Sequence, residues 1–133
     1  MPLQVSVVTP DRELWSGEAD FLIARSDGGD IGVLPGHAPF LGALSHSRLV
    51  IQTADAQTYA AVHGGFLEVF EGQVTILAER AELAEEIDLS RAQAQKDEAE
   101  RRIAESDTPE NRAKLMRNAN RLRTAAEAGL LNT

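Results

Sequence analysis

The chain has 133 residues, a net charge of −8 from 21 acidic and 13 basic side chains, and no cysteine. Such a surface disfavours nonspecific binding to nucleic acid or anionic membrane, and the lack of thiols excludes disulfides and thiolate metal sites. No run approaches the ~20 apolar residues that a spanning helix needs, and Met1–Pro10 has neither the basic start nor the apolar run of a signal peptide, so a cytosolic chain without membrane insertion is expected.

Leu3, Val5 and Val7 alternate with polar residues and predict a first strand. Pro10-Asp11 marks a turn. Ala19, Phe21 and Ile23 alternate through a second stretch, which Gly28-Gly29-Asp30 interrupts. Ile31-Gly32-Val33-Leu34 then leads into Pro35-Gly36. Arg48–Thr53 and Thr58–His63 predict a hairpin around residues 54–57, and Phe66–Phe70 with Gln73–Ala78 predicts another around Glu71-Gly72. Short strands with a turn signal every 8–12 residues point to a sandwich or barrel. Every aromatic residue (Trp15, Phe21, Phe40, Tyr59, Phe66 and Phe70) lies in this front part, where large side chains supply most of the burial energy.

The character changes near residue 85. Ten of the basic residues lie from residue 79 onward, among a similar number of acidic ones, which suits a salt-bridged helical surface. Asp88 is the expected N-cap of a first helix ending near Glu105. Thr108 caps a second, with Pro109 at its first position and Gly129 after its end. Leu89, Ala92, Ala99 and Ile103 form one stripe, and Leu115, Ala119, Leu122 and Ala126 another, so the helices can pair as an antiparallel hairpin. The expected division is therefore a β domain over residues 1–85 and a helical hairpin over 86–133. The hairpin offers few large apolar groups against an ordering cost of roughly 1–2 kcal/mol per residue, and it is expected to be marginal unless docked.

No nucleophile–base pair and no metal cluster is legible, so no catalytic residue and no metal site is assigned. The glycine run of residues 28–36 lacks a following Lys-Ser or Lys-Thr and is no P-loop. It is either a structural turn or an exposed binding edge. Arg117 and Arg121 sit four apart on one helix face, where like charges repel. Acidic neighbours on the first helix or a bound phosphate group would compensate them. Asp88 is a cap residue or an acceptor for a ribose or an adenine amine. On the residues alone, a freestanding β-sandwich module that binds protein or senses a nucleotide stays open.

Three stretches together carry a family resemblance: Leu3-Gln4-Val5 through Pro10-Asp11-Arg12, Gly32 through Pro39, and Gly64-Gly65-Phe66-Leu67-Glu68-Val69. With Ile87–Ala92 they make the chain similar to the epsilon subunits of bacterial F-type ATP synthases. The resemblance implies an N-terminal ten-stranded β-sandwich with a C-terminal antiparallel two-helix hairpin. It implies a non-catalytic central-stalk subunit, peripheral at the cytoplasmic face of the cell membrane. The implied partners are the gamma subunit, the c-ring, and the alpha/beta catalytic head when the hairpin extends and inhibits ATP hydrolysis. Asp30, Ile31, Gly32, Pro35, Gly36 and His37 are the implied partner-facing loop. No cofactor is required, but ATP is an implied regulatory ligand of the compact form. Ile87-Asp88-Leu89-Ser90-Arg91-Ala92 matches the pattern of ATP-binding members, and the implied site residues are Glu82, Asp88, Arg91, Arg117 and Arg121. Glu98 stands where strong binders carry a further arginine.

Overall fold

The computed structural model describes residues 2–131 apart from Asp27, so Met1, Asn132 and Thr133 at the ends of the two expected domains lie outside it. Seven strands precede two helices: β1 (Leu3–Val8), β2 (Glu13–Ala19), β3 (Phe21–Ser26), β4 (Gly29–Val33), β5 (Phe40–Gln52), β6 (Gln57–Phe70), β7 (Gln73–Leu83), α1 (Leu89–Glu105) and α2 (Pro109–Glu127). A single 3₁₀ turn at Ala84–Glu86 links β7 to the helices.

The strands form one hydrogen-bonded sheet in the order β2-β1-β7-β6-β5-β3-β4. All neighbours are antiparallel except β1 and β7. The three longest strands each cross both layers of the sandwich. Pairing lapses at one level across them, between Leu44 and His46 on β5, Gly65 and His63 on β6, and Ala78 and Arg80 on β7. Gly64 and Gly65 sit there with φ of +80° and +133°, a region that glycine enters without steric cost. The sheet folds over at this corner. Its first layer takes β2, β1 and the near halves of β7, β6 and β5. Its second takes the far halves with β3 and β4.

The class is the expected sandwich followed by two helices, but the strand number is seven rather than ten. Counting each folded strand as two segments recovers ten. The separately predicted segments Arg48–Thr53, Thr58–His63, Phe66–Phe70 and Gln73–Ala78 are parts of three continuous strands. A second correction falls at Asp20, whose N–H donates to Gln52 O as the chain steps between layers. The step shifts the alternation by one residue. Leu22 and Ala24 enter the core, and Phe21 and Ile23 are only half-buried.

One apolar core fills the space between layers. Leu3, Val5 and Val7 of β1, Leu67 and Val69 of β6, and Val74 and Ile76 of β7 meet Leu22, Leu49, Ile51 and Val62 of the other layer. Each such side chain contributes roughly 1.5–3 kcal/mol.

The helical caps form as expected. Asp88 Oδ1 accepts from Arg91 N at 3.0 Å, and Thr108 Oγ1 accepts from Asn111 N at 3.2 Å. The hairpin lies on the outer face of the second layer. α2 touches β5 and β6, and α1 rests chiefly on α2. The apolar contact is small: Ala61, Ile87 and Ala92 are buried together, with Leu89 and Leu122 packed against them. Ala92 and Ala99 of α1 are buried as the stripe predicts. α2 departs from its predicted stripe. Its buried residues are Asn118, Asn120, Thr124 and Ala125, Leu115, Ala119 and Leu122 are half-buried, and Ala126 is exposed. The reason is the polar surface beneath it. Asn120 Nδ2 donates to Ser47 O at 2.9 Å, and Arg48 Nε donates to Glu127 Oε1 at 3.0 Å.

A Cβ at Gly65 would lie 2.0 Å from Leu77 O. Gly65→Ala should therefore destabilise the sandwich by at least the ~1–3 kcal/mol of a strained backbone, read as a lower urea midpoint. A midpoint unchanged from the parent would refute the corner's role.

Candidate functional site

A cleft of about 600 Å³ runs along the seam between the second layer and the hairpin. All five residues expected to bind nucleotide line it: Glu82, Asp88, Arg91, Arg117 and Arg121. The arrangement follows from local structure. Glu82 points outward near the end of β7. Asp88 caps α1 and Arg91 stands in its first turn. Arg117 and Arg121 project from one face of α2, four residues apart.

Arg121 is the fixed point of this seam. Its Nε donates to Glu82 Oε1 at 2.5 Å, and its Nη1 donates to Asn118 Oδ1 at 3.0 Å. Asn118 Nδ2 in turn donates to Lys114 O at 2.9 Å. The structural partner expected for the arginine pair is thus Glu82 of the sheet, not an acid of α1, and it serves Arg121 alone. Arg117 has no salt bridge among the described residues. Burial, then Arg80 and Arg121 nearby, lower its pKa from the ordinary arginine value. Asp88 spends one carboxylate oxygen on its own helix cap. Glu86, also in the lining, is held outside the charge balance by two bonds from Arg12, at 3.0 and 2.8 Å. Those bonds, then Leu83 N–H, keep its carboxyl below the usual range. Glu98 is not a lining residue and pairs with Arg102 at 2.6 Å.

Six lining residues went unassigned in the sequence: His63, Arg80, Ala81, Glu86, Gln95 and Lys114. Lys114 lies three residues before Arg117, so helical spacing carried a signal. Arg80 and His63 are directly paired across β7 and β6, a register not legible before the strands were known to be continuous. His63 is 7% exposed, and its Nδ1 lies 3.2 Å from His46 Nδ1. Burial, then the charges of His46, Arg117, Arg121 and Arg80, hold its pKa down at about 3.

The six expected partner-facing residues do not form one loop. Asp30, Ile31 and Gly32 belong to β4, an edge strand of the sheet. Asp30 lies opposite Arg25 of β3, with a 4.0 Å ion pair. Pro35, Gly36 and His37 form the turn that follows, closed by His37 N donating to Leu34 O at 3.0 Å. These three line a broad trough with Gln4, Glu18 and the β6–β7 turn. Elsewhere, Leu41, Phe66 and Leu77 stand more than half exposed on the outer face of the first layer. Sequence reading missed that face because the near half of β5 lacks clean alternation. Among the described residues no cluster of metal-ligating side chains occurs, and no helix is long and apolar enough to cross a membrane.

Residues 2–84 match the family model described as the ATP synthase, Delta/Epsilon chain, beta-sandwich domain. The chain is 50% identical over 113 residues to the ATP synthase epsilon chain of Streptomyces avermitilis, covering 84% of this chain and 89% of that one. It is 48% identical over 127 residues to the ATP synthase epsilon chain of Thermobifida fusca, covering 92% and 91%. A chain in the mitochondrial ATP synthase OSCP/F1/c-ring assembly of Euglena gracilis shares the fold, with a TM-score of 0.72 at 24% identity over 98% of this chain and 82% of that chain.

His63 makes stability depend on pH. Its folded pKa lies below the unfolded value near 6.5, so the unfolded chain binds the extra proton as pH falls. Its contribution is complete above pH 6.5 and is lost progressively below it, toward pH 3. Between pH 7 and pH 5 the loss should be about 2 kcal/mol. Urea unfolding at both pH values should show this loss in the parent chain and a flatter response in His63→Gln. Parallel slopes for the two proteins would contradict the assignment.

Proposed function

From the premise that this chain belongs to the ATP synthase epsilon family, a non-catalytic subunit of the synthase, we propose that it serves in the central stalk as connector and brake. In this reading the sandwich holds the gamma subunit and sits on the c-ring, peripheral to the cytoplasmic face of the membrane. The apolar outer face at Leu41, Phe66 and Leu77 suits a permanent protein contact, because exposed apolar groups on neighbouring strands favour burial. The edge strand with Asp30, Ile31 and Gly32 and the turn with Pro35, Gly36 and His37 form the rotor-facing end. The hairpin is the brake. Released, it extends toward the alpha/beta head and inhibits ATP hydrolysis.

ATP is the proposed ligand that retains the compact form. The observation that carries this reading is the make-up of the cleft: its walls come from β6, β7, α1 and α2 together. Moving the hairpin away dismantles it. A ligand held there binds only the docked form, and at one hundred times its dissociation constant it adds about 2.7 kcal/mol to docking. That is comparable to one or two buried leucine side chains. Arg117 and Arg121 would face the phosphates, and Asp88 the ribose or base. The missing cation at Glu98 weakens no wall of the cleft, since its side chain pairs within α1.

Two measurements test the proposal. ATPase activity of the assembled complex should rise several-fold when residues 88–133 are removed, and unchanged activity would exclude the brake. Titration of the whole chain with ATP should release heat and slow amide exchange in α1 and α2. Absence of both at millimolar ATP would exclude the ligand.

A further inference from the structure

We propose that the His46–His63 pair beneath α2 is a proton-operated catch, so that acidification lifts the hairpin from the sandwich. That a lifted hairpin acts as a brake rests on the function proposed above; the lifting itself does not.

Strand register places the two rings under the hairpin. Ala61 of β6 is buried with Ile87 and Ala92, and His63 follows two residues later on the same face of the strand. His46 is its direct partner on β5. His63 shares the seam cleft with Arg117 and Arg121, and His46 shares a second hollow of about 250 Å³ with Leu115, Ala119 and Asn120. Residues of α2 thus stand over both rings. Asn120 fastens the helix at this level through Ser47 O, next to His46 in the chain.

The contact between the rings limits how many protons the docked form can hold. Their Nδ1 atoms lie 3.2 Å apart, with ring centroids at 5.4 Å. One ring donates its Nδ1–H and the other accepts. A first added proton leaves this bond intact, because it goes to Nε2 of the donating ring. His46 is half-buried, whereas His63 is 7% exposed and its Nε2 has no partner. The first charge therefore settles on His46, which solvent reaches. A second proton must go to the accepting Nδ1 of His63, and two N–H groups would then point at each other. The rings must part, and a ring so enclosed can turn only when its cover moves.

The surrounding charges work in the same direction. Arg80 faces His63 from β7, and Arg117 and Arg121 face it from α2. Lys114 of α2 and Arg91 of α1 line the same cleft. Its acids are already engaged: Glu82 with Arg121, Glu86 with Arg12, and Asp88 with its helix cap. Around His46 the charged groups are Arg48, Arg123, Lys96 and Glu100, the last two paired with each other. Burial, then the neighbouring charges, hold the pKa of His63 down at about 3 in the docked form. Facing water, the ring would titrate near the ordinary value of about 6.5. The released form binds the extra proton, so docking weakens as pH falls below about 6.5.

The chain has no cysteine, so Asp55→Cys and Glu105→Cys, both at exposed positions, can carry a dye pair that reports hairpin position in the whole chain by energy transfer. The docking constant should fall several-fold between pH 7.5 and pH 5.5, with about tenfold as the limit for one proton. His63→Gln should flatten this response. Ring NMR of the chain with both histidines intact should show His63 protonating in step with the hairpin signals, and this measurement decides if the Gln variant fails to dock at pH 7.5. A protonated His63 under a hairpin that stays docked, or an equal pH response in a docked His63→Gln chain, would overturn the catch. In the assembled complex, ATPase activity of the parent relative to His63→Gln should be lower at pH 5.5 than at pH 7.5. Release in the isolated chain with an unchanged activity ratio would refute the brake and leave the catch standing.

Discussion

The corner at Gly64 and Gly65 is the constraint on which the rest of the architecture depends. Three strands of 11 to 14 residues cross both layers only because the ladder folds there. A straight sheet of that length would leave one face without a partner. Folding it encloses the apolar residues of both halves in one core. It also turns His63, Arg80 and Glu82 outward on the second layer, beneath the hairpin. The site at the seam is therefore a consequence of a backbone conformation, glycine at positive φ, that other residues adopt only with strain.

The hairpin is attached by different physics. The sandwich closes on leucine, isoleucine and valine, whereas α2 meets the sheet through Asn120, Arg121 and Glu127. Such bonds replace bonds to water: the neutral one contributes about 0.5–1.5 kcal/mol net and each of the two charged ones about 1.5–3 kcal/mol. The apolar part of the contact is centred on alanines, Ile87 and Leu122. A polar seam of this kind is specific in register, since a shift of one helical turn would leave Asn120 buried and unpaired. The proposed brake requires that a ligand or a partner can decide between its docked and released positions.

Much of this was legible. Asp88, Thr108 and Pro109 announced the helix starts through their own chemistry, and Glu71-Gly72 announced a hairpin. Local signals of this kind depend on a few neighbouring residues. What failed depended on distant ones. Phe21 and Ile23 alternate correctly but in the wrong frame, because the step at Asp20 is fixed by Gln52. Leu115, Ala119, Leu122 and Ala126 form the better apolar stripe, yet the surface under α2 offers the Ser47 carbonyl to Asn120, and the buried Asn118 and Thr124 bond within α2 itself. The five residues expected to bind nucleotide came from resemblance, and they line one cleft. His63 and Arg80 had no sequence signal of their own, for only the register of two long strands brings them together.

The charges around the cleft give the hairpin a bias before any ligand arrives. Arg80, Arg91, Lys114, Arg117 and Arg121 face Glu82 and Asp88, while Glu86 is neutralised by Arg12. Docking gathers these cations and so opposes itself. On the proposed reading this opposition is what makes the arm responsive. Had the cations been paired internally, an anionic ligand would gain little and the compact form would persist without it. With all but Arg121 unpaired, the ligand contributes its own contacts and cancels the repulsion. By reciprocity, anything that pulls the hairpin away must weaken ligand binding by the same factor. Nucleotide and rotor partners would then compete for one helix pair through a shared free energy, without any further moving part.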